Sequence, residues 1–177
     1  MKNEFWNKRY DTNDTVYGTE PNEYFKSFID TYKPSSILLP AEGEGRNAVY
    51  AAKKGLEVDA FDFSFVAQEK ALLRAEKEKI HINYKVMPIE EFRAAKQYDA
   101  VALIYVHLEP GLRKKFHTEI ARSLSPAGYL IFEAFAKNKK TKHPGDQKKR
   151  LYYMMLLLFV TTFNICTFYP ADRKKLN

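Results

Sequence analysis

The sequence predicts a doubly wound α/β fold: a mostly parallel sheet in the strand order 3-2-1-4-5, with strand six beside strand five and helices on both faces. Three observations predict it. Apolar runs of strand length alternate with helix-length segments across residues 37–135. The first run breaks into a glycine turn, Ala41-Glu-Gly-Glu-Gly45, from which a small-residue helix starts. The second run ends in Asp62, an acid at the tip of the second strand of a βαβ unit.

Each element has its own signal. Glu4 to Tyr10 forms a short amphipathic helix carrying Phe5, Trp6 and Tyr10, and the turn formers Asp11 to Thr15 break it. Pro21 opens a second helix in which Tyr24, Phe25, Phe28, Ile29 and Tyr32 recur at helical spacing, and Pro34 closes it. Strand one is Ile37 to Leu39, and the helix over 47–54 stops at Gly55. Strand two covers 57–61, and Ser64 caps a helix over 64–78. Ile82 to Val86 is strand three, with a short helical piece at Ile89 to Phe92.

Strand four, Ala100 to Val106, is apolar on both faces, as a central parallel strand buried under helices should be. A helix over 110–123, with Leu112, Phe116, Ile120 and Leu124 on one stripe, leads through the turn Ser125-Pro-Ala-Gly128 into strand five, Tyr129 to Phe135. Beyond it, Leu151 to Val160 has the length of a helix, and Thr162 to Phe168 alternates like a sixth strand. The 21 residues from Leu151 to Ala171 carry no charge, so a membrane span stands as the alternative to a buried helix and strand; Thr161, Thr162, Asn164, Thr167 and Pro170 speak against it.

The chain of 177 residues reads as one domain. It divides into N-terminal helices (1–33), a core (34–136), a basic loop (137–150) and a shortened C-terminal helix and strand (151–177). The formal charge of +7 is local: residues 137–177 hold ten Lys/Arg against two Asp, which leaves the rest at −1. A solvated basic loop and end explain that excess without a nucleic-acid partner, with an acidic partner as the alternative. Cys166 stands alone, so no disulfide framework exists, and no Cys/His cluster has metal-ligand spacing. The opening Met1 to Arg9 lacks the apolar core of a secretion signal. A cytoplasmic protein is expected.

Glycines at the turn let a ligand approach the backbone, and the helix behind them presents unpaired N–H groups. With Asp62 placed to accept from two ribose hydroxyls, the two features together point to an adenosine-type ligand.

The run Ile37-Leu-Leu-Pro-Ala-Glu-Gly-Glu-Gly-Arg-Asn47, with Asp62-Phe-Ser64, Tyr98-Asp-Ala-Val101 and Leu124-Ser-Pro-Ala-Gly-Tyr-Leu130, resembles the class I S-adenosylmethionine-dependent methyltransferases, which have a Rossmann-like sheet. Trp6-Asn-Lys-Arg-Tyr10, Tyr17-Gly-Thr-Glu-Pro-Asn22 and Val106-His-Leu-Glu-Pro110 look most like the tellurite-resistance and thiopurine methyltransferase type. The resemblance covers residues 5–136 and implies S-adenosylmethionine as cofactor. It implies that Pro40, Ala41, Glu42, Gly43, Gly45 and Asn47 form the cofactor turn, that Asp62 holds the ribose, and that Phe63 lies on the adenine. Met87, Ile89, Ile104 and Tyr105 would line the adenine and sulfonium region, with Tyr10 and Tyr17 closing over the site as part of a lid. The acceptor implied is a small molecule: a thiol, a selenium or tellurium species, or a minor metabolite.

Three departures stand out. The acid common at the end of strand one is Leu39, and the first turn glycine is Ala41, which leaves Glu42 or Glu44 to supply the negative charge. Met87-Pro88 replaces the acid often found after strand three. The residues after strand six are too few for a seventh, so an open C-terminal sheet edge would invite a second copy of the chain.

In-line methyl transfer needs positioning more than acid–base groups, so no catalytic residue is required. His107, just past strand four, either accepts the acceptor's proton or caps the following helix. Two other readings remain. One is a catalytically impaired protein of this fold serving as an interaction subunit. The other is a nicotinamide dehydrogenase, against which the turn lacks the third glycine spacing.

Overall fold

The computed structural model describes residues 2–136 and 149–156. Helices α1 (Lys2–Tyr10) and α2 (Glu23–Tyr32) precede a strand and helix alternation: β1 (Ser36–Pro40), α3 (Arg46–Lys53), β2 (Glu57–Asp62), α4 (Phe65–Lys77) and β3 (Asn83–Val86). A 3-10 turn (Ile89–Glu91), β4 (Tyr98–Ile104), α5 (Pro110–Arg122), β5 (Leu124–Ala136) and β6 (Lys149–Leu156) follow. The strands form one sheet in the order β3-β2-β1-β4-β5-β6. Strands β1 to β5 are parallel and β6 runs antiparallel to β5. The order of the first five strands is the expected one, and the strand beside β5 comes from a different segment than expected.

Local chemistry sets the helix ends. Asn22, rather than Pro21, starts α2: its Oδ1 accepts the Phe25 N–H (3.0 Å). Ser64 caps α4 as expected, its Oγ accepting the Ala67 N–H (3.2 Å). Strand β4 stops at Ile104, two residues short of the expected end, because Tyr105 turns to a φ of 57°.

Alternate residues of each strand feed two cores, one on each face of the sheet. On one face Ile37, Leu39, Ala60, Ala102 and Ile131 meet Phe25, Phe28 and Ile29 of α2, Ala48 and Ala51 of α3, and Ala71 and Ala75 of α4. On the other, Leu38, Phe61, Val101, Leu103 and Leu130 meet Phe92 and, from α5, Phe116 and Ile120. Each large apolar side chain so buried contributes about 1.5–3 kcal/mol. Helix α4 turns alanines inward at 67, 71 and 75, and a side chain without bulk lets a helix lie close to its neighbour.

Two expectations are corrected. Ser125 to Gly128 is not a turn ahead of strand five but an irregularity inside β5. Leu124 pairs with Tyr98 and Tyr129 already with Ala100, and the surplus residues are absorbed where Ala127 takes a φ of 62°. The helix expected from Leu151 is a strand over Lys149–Leu156, its backbone paired with β5 from Ala136↔Lys149 to Tyr129↔Leu156. A short apolar run reads the same in a buried helix and in a strand. What decides is β5, 13 residues long, whose outer edge offers a ladder of backbone donors and acceptors to pair. The strand expected at Thr162 to Phe168, Cys166 and the basic loop over 137–148 lie outside the described residues. No helix among the described residues is long and apolar enough to cross a membrane.

Candidate functional site

The carboxyl ends of the parallel strands open on one cavity of about 780 Å³, within the range of small-molecule sites. Its floor is the turn between β1 and α3. Ala41 and Gly43 take φ of 51° and 65°, and Gly45 takes 78°. The alanine at the first position therefore adopts a backbone that its β-carbon disfavours. Gly45 has no such choice, since a β-carbon there would stand 2.6 Å from Ala71 Cβ of α4.

Asp62, at the tip of β2 and 4% exposed, braces this turn. Its Oδ2 accepts the Gly43 N–H (3.1 Å) and its Oδ1 the Ser64 N–H (2.9 Å). Burial raises its pKa above the ordinary carboxylate value, against the pull of the Ser64, Gly43 and Phe63 amides. From β3, Tyr84 Oη donates to the Gly43 carbonyl (2.6 Å).

Glu42 caps α3, a task that Gly45 at the N-cap cannot perform. Its Oε1 accepts the N–H groups of Asn47 (2.7 Å) and Ala48 (2.8 Å), and its Oε2 accepts from Asn47 Nδ2 (3.2 Å). Burial pushes its carboxyl up to about 7 despite these donors. Glu44, which also lines the cavity, has different partners: it accepts the Val16 N–H (2.8 Å) and pairs with Lys70 Nζ of α4 (2.9 Å).

The N-terminal segment lies over the turn. Tyr10, 5% exposed, brings its hydroxyl to 2.9 Å from where a β-carbon on Gly43 would be. Its ring stacks on Trp6 at 5.6 Å, and Arg9 sits over both Trp6 (5.7 Å) and Tyr17 (5.6 Å). Arginines hold the segment down from beneath. Arg46 Nη1 donates to the Tyr17 carbonyl (3.0 Å), and Arg74 Nη2 donates to that of Thr19 (2.8 Å).

A buried polar chain crosses the site. Asn22 donates its N–H to Asn47 Oδ1 (2.9 Å) and its Nδ2 to Glu133 Oε2 (2.6 Å). Glu133, on β5 and 0% exposed, also accepts the Tyr105 hydroxyl on Oε1, while the Tyr105 N–H donates to the Glu133 carbonyl (2.8 Å). Tyr24 lies close enough that the Glu133 charge, after burial and Tyr32, adds to pushing its phenol up to about 12.

Of the residues singled out from sequence, Pro40, Ala41, Glu42, Gly43, Asn47, Asp62, Phe63, Ile89, Ile104, Tyr105, Tyr10, Tyr17 and His107 all line this cavity. Two do not. Gly45 packs on Ala71 behind the turn, and Met87 packs into the core on the α5 face, its N–H donating to the Asp62 carbonyl (2.8 Å). Sequence reasoning missed Asn22 and Glu133. The signal for Glu133 was present, as the one charge in the apolar run from Tyr129 to Phe135. His107 is exposed at the rim. Among the described residues no group of His, Cys, Asp and Glu could hold a metal ion.

The donor set suits an adenosyl cation. A carboxylate offers about four acceptor sites, and the Gly43, Ser64 and Phe63 amides draw on those of Asp62, which leaves acceptor capacity for a ribose hydroxyl. Phe63, Pro88 and Ile89 supply an apolar wall for a base. Glu42 keeps part of its surface on the cavity and offers negative charge to a cation.

Comparison with known proteins gives the family and the fold. Residues 37–128, just over half of the chain, match the family model described as "Methyltransferase domain". The chain is 28% identical over 118 residues to the ubiquinone biosynthesis O-methyltransferase of Rickettsia bellii, an alignment covering 67% of this chain and 49% of that protein. It thus spans about half the length of the curated relatives it matches. Among solved structures it resembles the N-methyltransferase NodS of Bradyrhizobium japonicum, determined with S-adenosyl-l-homocysteine (TM-score 0.65, 16% identity, 74% of this chain and 71% of that one). It also resembles TehB of Haemophilus influenzae (TM-score 0.64, 18% identity, 81% of this chain and 49% of that one).

Proposed function

The chain belongs to the methyltransferase-domain family, and from that premise we propose that it moves a methyl group from S-adenosylmethionine to the nucleophilic atom of a small molecule. One observation carries this reading: the glycine turn and the Asp62 carboxylate, 19 residues apart, face a single cavity and are bonded to each other. S-adenosylmethionine, when bound, supplies a methyl group activated by the positive sulfur beside it. The protein's part is to hold and orient. Asp62 accepts a ribose hydroxyl, Phe63 and Ile89 flank the adenine, and Glu42 meets the positive charge. Ile104 at the end of β4 and Tyr105 just after it face the reacting groups.

A small acceptor is supported by Trp6, Tyr10 and Tyr17 of the N-terminal segment, which line the cavity and narrow it. A thiol, a selenium or tellurium species, or a minor metabolite is what the resemblance to the tellurite-resistance and thiopurine type implies. The O-methyltransferase name of the Rickettsia relative adds a hydroxyl to the candidates. His107 stands at the mouth, within reach of an acceptor entering there.

Titration calorimetry of the full chain with S-adenosylmethionine, S-adenosylhomocysteine and NAD tests the reading. Saturable binding of the first two and none of NAD is expected. Silence toward all three would leave an interaction subunit of methyltransferase fold, and NAD binding alone would favour a dehydrogenase.

A further inference from the structure

We propose that Tyr105 takes the proton of the methyl acceptor's nucleophile, with Glu133 beneath it positioning the phenol and receiving the phenol's own proton; this rests on the methyl-transfer reading above. Tyr105 follows β4 directly, lines the cavity and holds a φ of 57°, a left-handed backbone that a tyrosine keeps only where its surroundings impose it. Glu133 imposes it from both ends. The Tyr105 N–H donates to the Glu133 carbonyl (2.8 Å) and the Tyr105 hydroxyl to its carboxylate. Strain spent on aiming one side chain is characteristic of functional positions.

The company Glu133 keeps points the same way. It is fully buried, and among the described residues the donors on it, Asn22 Nδ2 and Tyr105 Oη, are both neutral. A carboxylate desolvated among neutral partners stabilises a fold poorly compared with an apolar residue of the same size. It does, however, stand one phenol away from the cavity, bonded to a hydroxyl that can relay a proton. Donation to the carboxylate also polarises the phenol oxygen and strengthens it as an acceptor toward a substrate X–H. Asn22 keeps the pair in register with the methyl donor's turn, because its own N–H is bonded to Asn47, which Glu42 grips in turn.

The step balances. A lone pair on the acceptor's X atom forms the bond to the methyl carbon as the carbon–sulfur bond breaks, with that bond's electron pair remaining on sulfur. The proton on X passes to Tyr105 Oη, and the phenol's proton passes to Glu133. The carboxylate ends neutral and the product uncharged. Tyr105 is the catalytic residue in this scheme and Glu133 the positioning residue.

Sinefungin, the analogue that carries a primary amine where the sulfonium methyl would be, places a hydrogen-bonding cation at the point Tyr105 is argued to face. The test measures dissociation constants of sinefungin and S-adenosylhomocysteine on the full-length wild type, Tyr105→Phe, Glu133→Gln and His107→Ala. The wild type should favour sinefungin. Tyr105→Phe and Glu133→Gln should each reduce that preference about fivefold, the worth of one lost hydrogen bond, while homocysteine-analogue affinity stays within about twofold. A purely structural role for Glu133 would weaken both ligands together. Should Glu133→Gln fail to fold, Tyr105→Phe carries the test alone. A preference lacking in the wild type, unmoved by Tyr105→Phe, or moved only by His107→Ala, overturns the proposal. If the wild type fails to bind S-adenosylhomocysteine at all, the methyl-transfer reading itself falls, and this proposal with it.

Discussion

Asp62 braces the turn through Gly43 and Ser64, and the same carboxylate is the group proposed to hold the ribose. Asp62→Ala should therefore weaken S-adenosylmethionine binding by about 1–3 kcal/mol. Calorimetry reads it directly, and unchanged affinity would remove Asp62 from the site. Glu42 gives a pH signature. Its folded pKa of about 7 lies above the reference value of 4.5, so the folded state binds the proton more tightly than the unfolded chain. That stabilising preference is complete below about 4.5 and lost as pH rises through about 7. Denaturant midpoints between pH 5 and 8 should accordingly fall for the wild type more than for Glu42→Gln, which cannot ionise. Parallel profiles would show that Glu42 does not titrate there. A donor cation favours the ionised form, so affinity for S-adenosylmethionine should rise over the same interval.

At the scale of elements, the turn and helix α4 are built against each other. Gly45→Ala must fit a β-carbon 2.6 Å from Ala71 Cβ at a φ of 78°. Left-handed strain and overpacking together should cost about 2–4 kcal/mol of stability, measured by urea unfolding. A variant as stable as the wild type would mean that α4 does not lie this close to the turn. Gly43→Ala meets instead the far end of a side chain, Tyr10 Oη, so its effect should fall on the N-terminal segment. Glu44 is the strut of that segment, bonded to Val16 and to Lys70. Glu44→Ala should speed proteolytic cleavage near residues 11–20 while the melting temperature changes little. Cleavage at the wild-type rate would show that the strut does not hold the segment. None of this depends on helix α1 being stable alone, which at nine residues it would not be.

Across the whole molecule, the two cores lock a parallel sheet whose strand tips converge on one cavity, so a ligand that binds only the folded state should raise the melting temperature. A saturating excess of S-adenosylhomocysteine about 100 times its Kd would add about 2.7 kcal/mol, read as a thermal shift, and NAD at the same concentration should add none. Much of this architecture is legible from the chain alone. Strand and helix alternation, the positive-φ demand at Gly43 and Gly45, the Ser64 cap and the acid at the tip of β2 are local consequences of residue type and spacing, and periodicity reports them faithfully. Long-range pairing is not local. Whether Leu151-Tyr-Tyr-Met-Met-Leu156 becomes helix or strand rests on the free edge of β5, and whether Glu42 or Glu44 caps α3 or holds the N-terminal segment rests on which amides lie nearby in space. Glu133 and Asn22, 111 positions apart, meet only because β5 and the entry to α2 are brought together over the strand tips. Sequence by itself determined the fold class, the glycine turn and the acid at the tip of β2, since backbone preference and hydrophobic period act within a few residues; only the tertiary structure decided which polar side chains share the buried chain behind Tyr105, since burial and hydrogen bonding act between segments that the sequence keeps far apart.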